Sequence, residues 1–241
     1  MSGKLNDGMK HSEKEHLKEN EVATALVAAN QHRTQLLTIG GGLLVLLVAV
    51  GGFVTWQRNQ DTAVSALLAE AMVVYESPVQ APTPGSPQAP GTYATEKAKL
   101  EAALPKFLAA SVASPSSTPG RLARLNAAAA LVGLGRYDEA RTHYEQLATG
   151  TDLVANGAAL GKAQALTLAG QYAPAIEALK TLSAQTTTQL PADGVLMELA
   201  RAYRASGKTD EARKTFNEIV EKHADSPFAA EARTEIDKLK S

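Results

Sequence analysis

Hydrophobic and polar positions divide this chain into three stretches. Residues 1–35 are polar and mixed in charge, Leu36 to Trp56 carry no charge, and from residue 57 onward apolar residues recur at helical spacing. The uncharged run is 21 residues long, so as a helix rising ~1.5 Å per residue it measures about 31 Å, close to the roughly 30 Å hydrocarbon core of a bilayer. Twelve of its residues are Leu, Ile, Val or Phe, and at roughly −0.3 to −0.6 kcal/mol each they favour insertion by about 5 kcal/mol. The pattern predicts a transmembrane helix over 36–56. It starts later and runs longer than the apolar part of a secretory signal, and it ends in Phe53-Val54-Thr55-Trp56-Gln57-Arg58 without small residues for cleavage, so the anchor is expected to stay. Trp56, the only tryptophan, stands at its far edge, where an amphipathic ring suits the membrane–water interface.

Beyond the anchor, Val64, Leu67, Leu68, Ala71, Val74 and Tyr75 form one stripe, predicting a helix that ends near Ser77-Pro78. Five prolines between Pro78 and Pro90 make 78–91 an extended loop. A second helix is expected around 94–112, with Leu100, Leu104, Phe107 and Leu108 on one side and Pro105 kinking or restarting it. These two helices are read as an atypical first hairpin occupying 57–120.

The remainder, 121–241, repeats itself. Gly135-Arg136-Tyr137-Asp138-Glu139-Ala140 is echoed by Gly170-Gln171-Tyr172-Ala173-Pro174-Ala175 and by Gly207-Lys208-Thr209-Asp210-Glu211-Ala212, with the glycines 35 and 37 residues apart. That period predicts stacked helical hairpins. Each glycine suits the end of a first helix; Asp138 and Thr209 suit the N-cap of the second, and Pro174 its first turn. Ala140, Ala175 and Ala212 allow close approach of the two helices, and Tyr144, Leu179 and Phe216 follow one turn later as fillers. Leu199-Ala200-Arg201-Ala202-Tyr203 resembles the Leu-Gly-x-x-Tyr signature of tetratricopeptide repeats. In the middle copy, 156–188, Lys162 and Leu166 replace the usual leucine and tyrosine. Ser226-Pro227 begins a last helix whose Ala232, Ile236 and Leu239 cap the stack. The predicted fold class is therefore all-α: a transmembrane helix followed by a tetratricopeptide-like solenoid.

Charge sets the expected orientation. Lys4, Lys10, Lys14, Lys18 and Arg33 precede the anchor, whereas 57–95 holds only Arg58, so the head is expected in the cytoplasm and the repeats across the membrane. Within the head, Ser12-Glu13-Lys14-Glu15 has capping-box spacing, and Val22, Leu26 and Ala29 share a face, which predicts a helical lead-in. A formal net charge of −1 gives no reason to expect nucleic acid as partner. The absence of cysteine excludes disulfides and thiolate catalysis. The five histidines are scattered without zinc-like spacing, and no phosphate loop or Rossmann fingerprint occurs. No catalytic residue, cofactor, metal or small-molecule substrate is expected.

A short head, one anchor and a tetratricopeptide-like domain, together with Trp56-Gln57-Arg58-Asn59-Gln60 and the helix Ala63–Tyr75, resemble the bacterial inner-membrane family that includes the ancillary subunit of the SecYEG translocon. The last repeat, Glu211 to Phe216 and on through Asp225-Ser226-Pro227-Phe228, is similar to envelope repeat proteins such as the cell division coordinator and the outer-membrane assembly lipoprotein. The first resemblance implies a periplasmic, non-enzymatic accessory of protein export that meets secreted chains or chaperones; the second implies a scaffold for division or outer-membrane assembly. Superposing the tetratricopeptide pattern puts Leu125, Ala129, Leu160, Gln164, Thr167, Met197, Arg201 and Arg204 in a partner-binding groove. There Met197 and Leu160 are expected to give apolar contact, and Arg201 and Arg204 to meet carboxylates or backbone carbonyls. The Lys and Asn clamp for C-terminal carboxylates is not visible, because Ala129, Gln164 and Arg201 hold the corresponding places.

Overall fold

The computed structural model describes residues 49–50, 61–82, 88–185 and 189–239. The chain divides into two units, 1–58 and 59–241. The head and the apolar run lie outside the described residues except for Ala49 and Val50, which are helical and exposed. Among the described residues no helix is long and apolar enough to cross a membrane.

The second unit is built from helices. We label as α1 the helix over 61–75. It is followed by α2 (Glu96–Ala113), α3 (Thr118–Gly133), α4 (Tyr137–Glu145), α5 (Leu153–Leu168), α6 (Tyr172–Ala184), α7 (Ala192–Ala205), α8 (Thr209–Lys222) and α9 (Ala229–Lys238). From α2 onward consecutive helices pack against each other, and α3, α5 and α7 also touch in sequence, so they form one inner row. This is an all-α array of hairpins, as the periodicity requires.

The corners of the three clear hairpins share one hydrogen-bond scheme. Gly135, Gly170 and Gly207 have φ of 75°, 76° and 78°, the left-handed region open to a residue without a Cβ. The Gly135 N–H donates to the Val132 carbonyl and the Arg136 N–H to the Leu131 carbonyl; Gly170 with Gln171, and Gly207 with Lys208, repeat the pair. This double closure satisfies carbonyls that the helix end leaves open. Arg136, Gln171 and Lys208 then act at once as N-caps of α4, α6 and α8, without a side-chain cap bond. The expected caps are therefore corrected: Asp138 and Thr209 lie inside the first turns, because the turn leaves a single residue between glycine and helix. Side-chain caps occur elsewhere, where Thr95, Ser117 and Asp152 accept from the N–H of Ala98, Gly120 and Ala155.

Packing follows the small-residue pattern. Ala140, Ala175 and Ala212 are wholly buried, and Tyr144, Leu179 and Phe216 fill the hairpins beside them. Gly161 of α5 takes part too, since a Cβ there would stand 2.5 Å from Tyr144 Cζ. Pro105 sits on the exposed face inside α2 without ending it. An interior proline costs ~3 kcal/mol, which burial of Leu100, Ala103, Leu104 and Phe107 on the other face offsets. The α2 face meets α1 through Tyr75 and Phe107, whose rings stand edge to face at 5.6 Å.

The core is a relay. One buried cluster joins α1 to α5, a second joins α5 and α6 to α7, and a third joins α7 and α8 to α9. Each inner helix after α3 serves two clusters, which is how a solenoid remains continuous when every repeat touches only its neighbours. The outward face of α9, with Arg233, Thr234 and Asp237 exposed, is polar and closes the array.

Candidate partner-binding groove

Four of the sequence-predicted groove residues meet. Gln164 and Thr167 of α5 and Arg201 and Arg204 of α7 line one cavity of about 410 Å³, with Leu168, Tyr172, Glu198 and Ala205. Gln164, Thr167 and Leu168 fall within one turn of α5, so helical spacing alone puts them on a shared face. The Thr167 hydroxyl donates to the Ala163 carbonyl at 3.0 Å, which leaves its oxygen to the cavity as an acceptor. Leu168 is 51% exposed and, with the half-buried Tyr172, supplies an apolar edge.

The other predicted positions lie elsewhere. Leu125 is half-buried against the first core cluster and Leu160 against the second. Ala129 is half-buried on α3. Met197 is corrected: its exposure is 0%, and it packs with Phe216, Ala232 and Ile236. The physical reason is that α8 and α9 contribute to one buried cluster with it, through Ala212, Phe216 and Ile219 and through Ala232 and Ile236. Met197 is core, not contact surface.

The arginines are engaged within the chain. Arg201 donates to Glu198 at 2.5 Å and to Glu231 of α9 at 2.7 Å. Arg204 pairs with Glu235 of α9, whose other oxygen accepts from Lys238 at 2.9 Å. Burial works against the Arg201 charge, but hydrogen bonds and attraction from Glu231 and Glu198 outweigh it and leave the guanidinium more basic than usual. Both arginines still reach solvent, at 33% and 44% side-chain exposure. The site is thus a polar-and-apolar notch with two guanidinium groups shared between its wall and α9.

Leu168, Tyr172, Glu198 and Ala205 were absent from the sequence-based groove. Leu168 was readable as the next turn of the Gln164 stripe; Tyr172 depends on how the α5–α6 corner folds back. A cavity of about 450 Å³ between α6, α7 and α8, lined by Lys180, Tyr203, Lys214, Glu218 and His223 among others, also lies outside that groove. Among the described residues no group of three or more histidines and carboxylates could hold a metal ion.

Two stretches match tetratricopeptide-repeat family models, residues 193–236 and residues 122–149. The first spans α7, α8 and most of α9; the second covers most of α3 and all of α4. The α5–α6 hairpin falls between them, where Lys162 and Leu166 depart from the usual pattern. Neither match is to an enzyme family. No curated protein matches the chain.

Proposed function

We propose that this protein is a membrane-anchored, non-enzymatic protein-binding module whose repeats receive a segment of a partner between α5 and α7. The observation that carries the binding role is the cavity where Gln164, Thr167, Arg201 and Arg204 meet Leu168 and Tyr172. It offers a peptide backbone donors and acceptors along one wall and apolar contact at the edge. The tetratricopeptide matches support protein rather than small-molecule partners.

The location rests on sequence: the uncharged run 36–56 as anchor, and the Lys and Arg bias that keeps the head cytoplasmic and the repeats periplasmic. Together with the resemblance to the family of the ancillary translocon subunit, this supports reading the protein as an accessory of Sec-dependent export in a bacterial inner membrane, meeting secreted chains or periplasmic chaperones. Tagged protein captured from gently crosslinked native membranes should carry translocon subunits and exported chains. Recovery of division or outer-membrane assembly proteins alone would replace the export role with that of an envelope scaffold. Protease added to spheroplasts should cut the repeats and spare the head; the opposite pattern would reverse the orientation.

A further inference from the structure

We propose that the α5–α7 cavity takes an acidic segment of its partner, and that Glu231 and Glu235 of α9 are tethered competitors for the same two arginines. The inference rests on the reading of that cavity as the binding surface and adds the charge of the occupant and a control on its entry.

Arg201 and Arg204 lie three residues apart on α7, and Glu231 and Glu235 four apart on α9, so each pair stacks along one helix face. The result is two rungs between the helices, Arg201–Glu231 at 2.7 Å and Arg204–Glu235. The same two guanidinium groups line the cavity on the α5 side. Planar guanidinium groups with several donors accept carboxylates from either direction, so an incoming acid and the α9 acids compete for one pair of sites.

The rungs differ in ease of exchange. Glu231 is 46% exposed, whereas Glu235 is 8% exposed and has Lys238 as its other charged partner. An exposed pair holds its partners weakly, so Glu231 yields Arg201 first and Glu235 keeps Arg204 longer. The α9 helix need not leave: Ala232 and Ile236 stay in the core with Phe216 and Ile219, and Arg213 Nη2 holds the Leu239 carbonyl at 2.8 Å. Arg201 Nη1 keeps Glu198 of its own helix at 2.5 Å, so only the guanidinium contacts to α9 are exchanged: Nη2 of Arg201 and Nη1 of Arg204.

The test uses the full chain in detergent and a fluorescein-labelled hexaglutamate peptide, followed by anisotropy at low salt. E231Q should bind the peptide about two- to fivefold more tightly than the parent, the gain expected from releasing a competitor of exposed-pair strength, and E231Q/E235Q more tightly still. Because Glu235 is buried, E231Q alone decides the matter if the double variant loses helix content. Adding R201Q/R204Q to E231Q should abolish binding. E177Q makes the same charge change on α6, where Glu177 pairs with Lys180, and should leave the affinity unchanged. Unaltered affinity in E231Q, with binding still lost in R201Q/R204Q, overturns the competition and keeps the groove. Binding that survives R201Q/R204Q overturns the groove reading itself. Equal tightening in E177Q, or no binding by any variant, overturns the acidic occupant.

Discussion

Replacing Gly161 by alanine tests how α4 and α5 meet. The added Cβ would lie 2.5, 2.6 and 2.7 Å from Cζ, Cε1 and Oη of Tyr144. Tyr144 is 3% exposed within the first core cluster, where burial holds its phenol proton so firmly that the pKa is pushed up to about 12. A ring so enclosed can yield only by displacing the side chains packed around it. Overpacking of this kind costs about 1–3 kcal/mol, while Gly→Ala inside a helix returns about 0.8–1 kcal/mol of propensity. The net expectation for Gly161→Ala is a loss of about 1 kcal/mol, read as a lower urea midpoint by circular dichroism. Tyr144→Leu removes the obstructing ring tip, so in that background the same substitution should gain about 1 kcal/mol through propensity alone. The sign reversal is the diagnostic outcome, and the coupling falls in the range expected of residues in contact. A Gly161→Ala chain that is more stable than its parent, or equal effects in both backgrounds, would refute the close approach of these helices.

Three further outcomes follow from the packing and the charges. Asp152 caps α5 and accepts from Arg121 of α3 at 2.5 and 3.0 Å, which together with the Ala155 N–H lowers its pKa to about 2. A depressed carboxyl contributes stability above its unfolded value of ~3.9 and loses it as pH falls through about 2. Asp152→Asn keeps a cap oxygen but not the charge, so acid titration of its unfolding midpoint should be shallower than the parent's between about pH 4 and 2, and equal slopes would count against the ion pair. Phe216→Ala, at a side chain with 0% exposure, should cost about 3–5 kcal/mol in urea unfolding; a change below about 1 kcal/mol would mean that the α7–α9 cluster is not the core of the last repeat. Gly207→Ala, at φ 78°, should destabilise by about 1 kcal/mol or more because alanine is strained there, and an unchanged midpoint would argue against the left-handed corner.

The repeats were legible because their constraints are local. A left-handed residue favours glycine, a close helix crossing requires alanine, and a filler one turn later follows from helix geometry, so Gly135, Ala140 and Tyr144 could be read together. The cap positions were misread because the corner closes on backbone bonds alone, and nothing in the side chains of Arg136, Gln171 or Lys208 marks them. Gly161 drew no notice, since a glycine within a helix does not say which neighbour approaches it.

The groove was legible where it depends on one helix face and not where it depends on distant chain. Gln164 and Thr167 share a turn of α5, and Arg201 and Arg204 a turn of α7, so their grouping follows from spacing. Met197 lies on the same pattern but is buried in the cluster that α8 and α9 build against α7, with Phe216, Ile219, Ala232 and Ile236. The carboxylates on the arginines come from Glu231 and Glu235, 30 and 31 residues away, beyond any local rule. The apolar run 36–56 lies outside the described residues except for Ala49 and Val50, so its reading as an anchor still rests on composition.

The most direct test of the binding surface is site-specific photocrosslinking in living cells. A photoreactive residue at Gln164, inside the α5–α7 cavity, should give discrete adducts with translocon subunits or exported chains, and one at the exposed Glu177 of α6 should give none. Adducts from Glu177 with none from Gln164 would move the working surface away from the inner row and contradict the account.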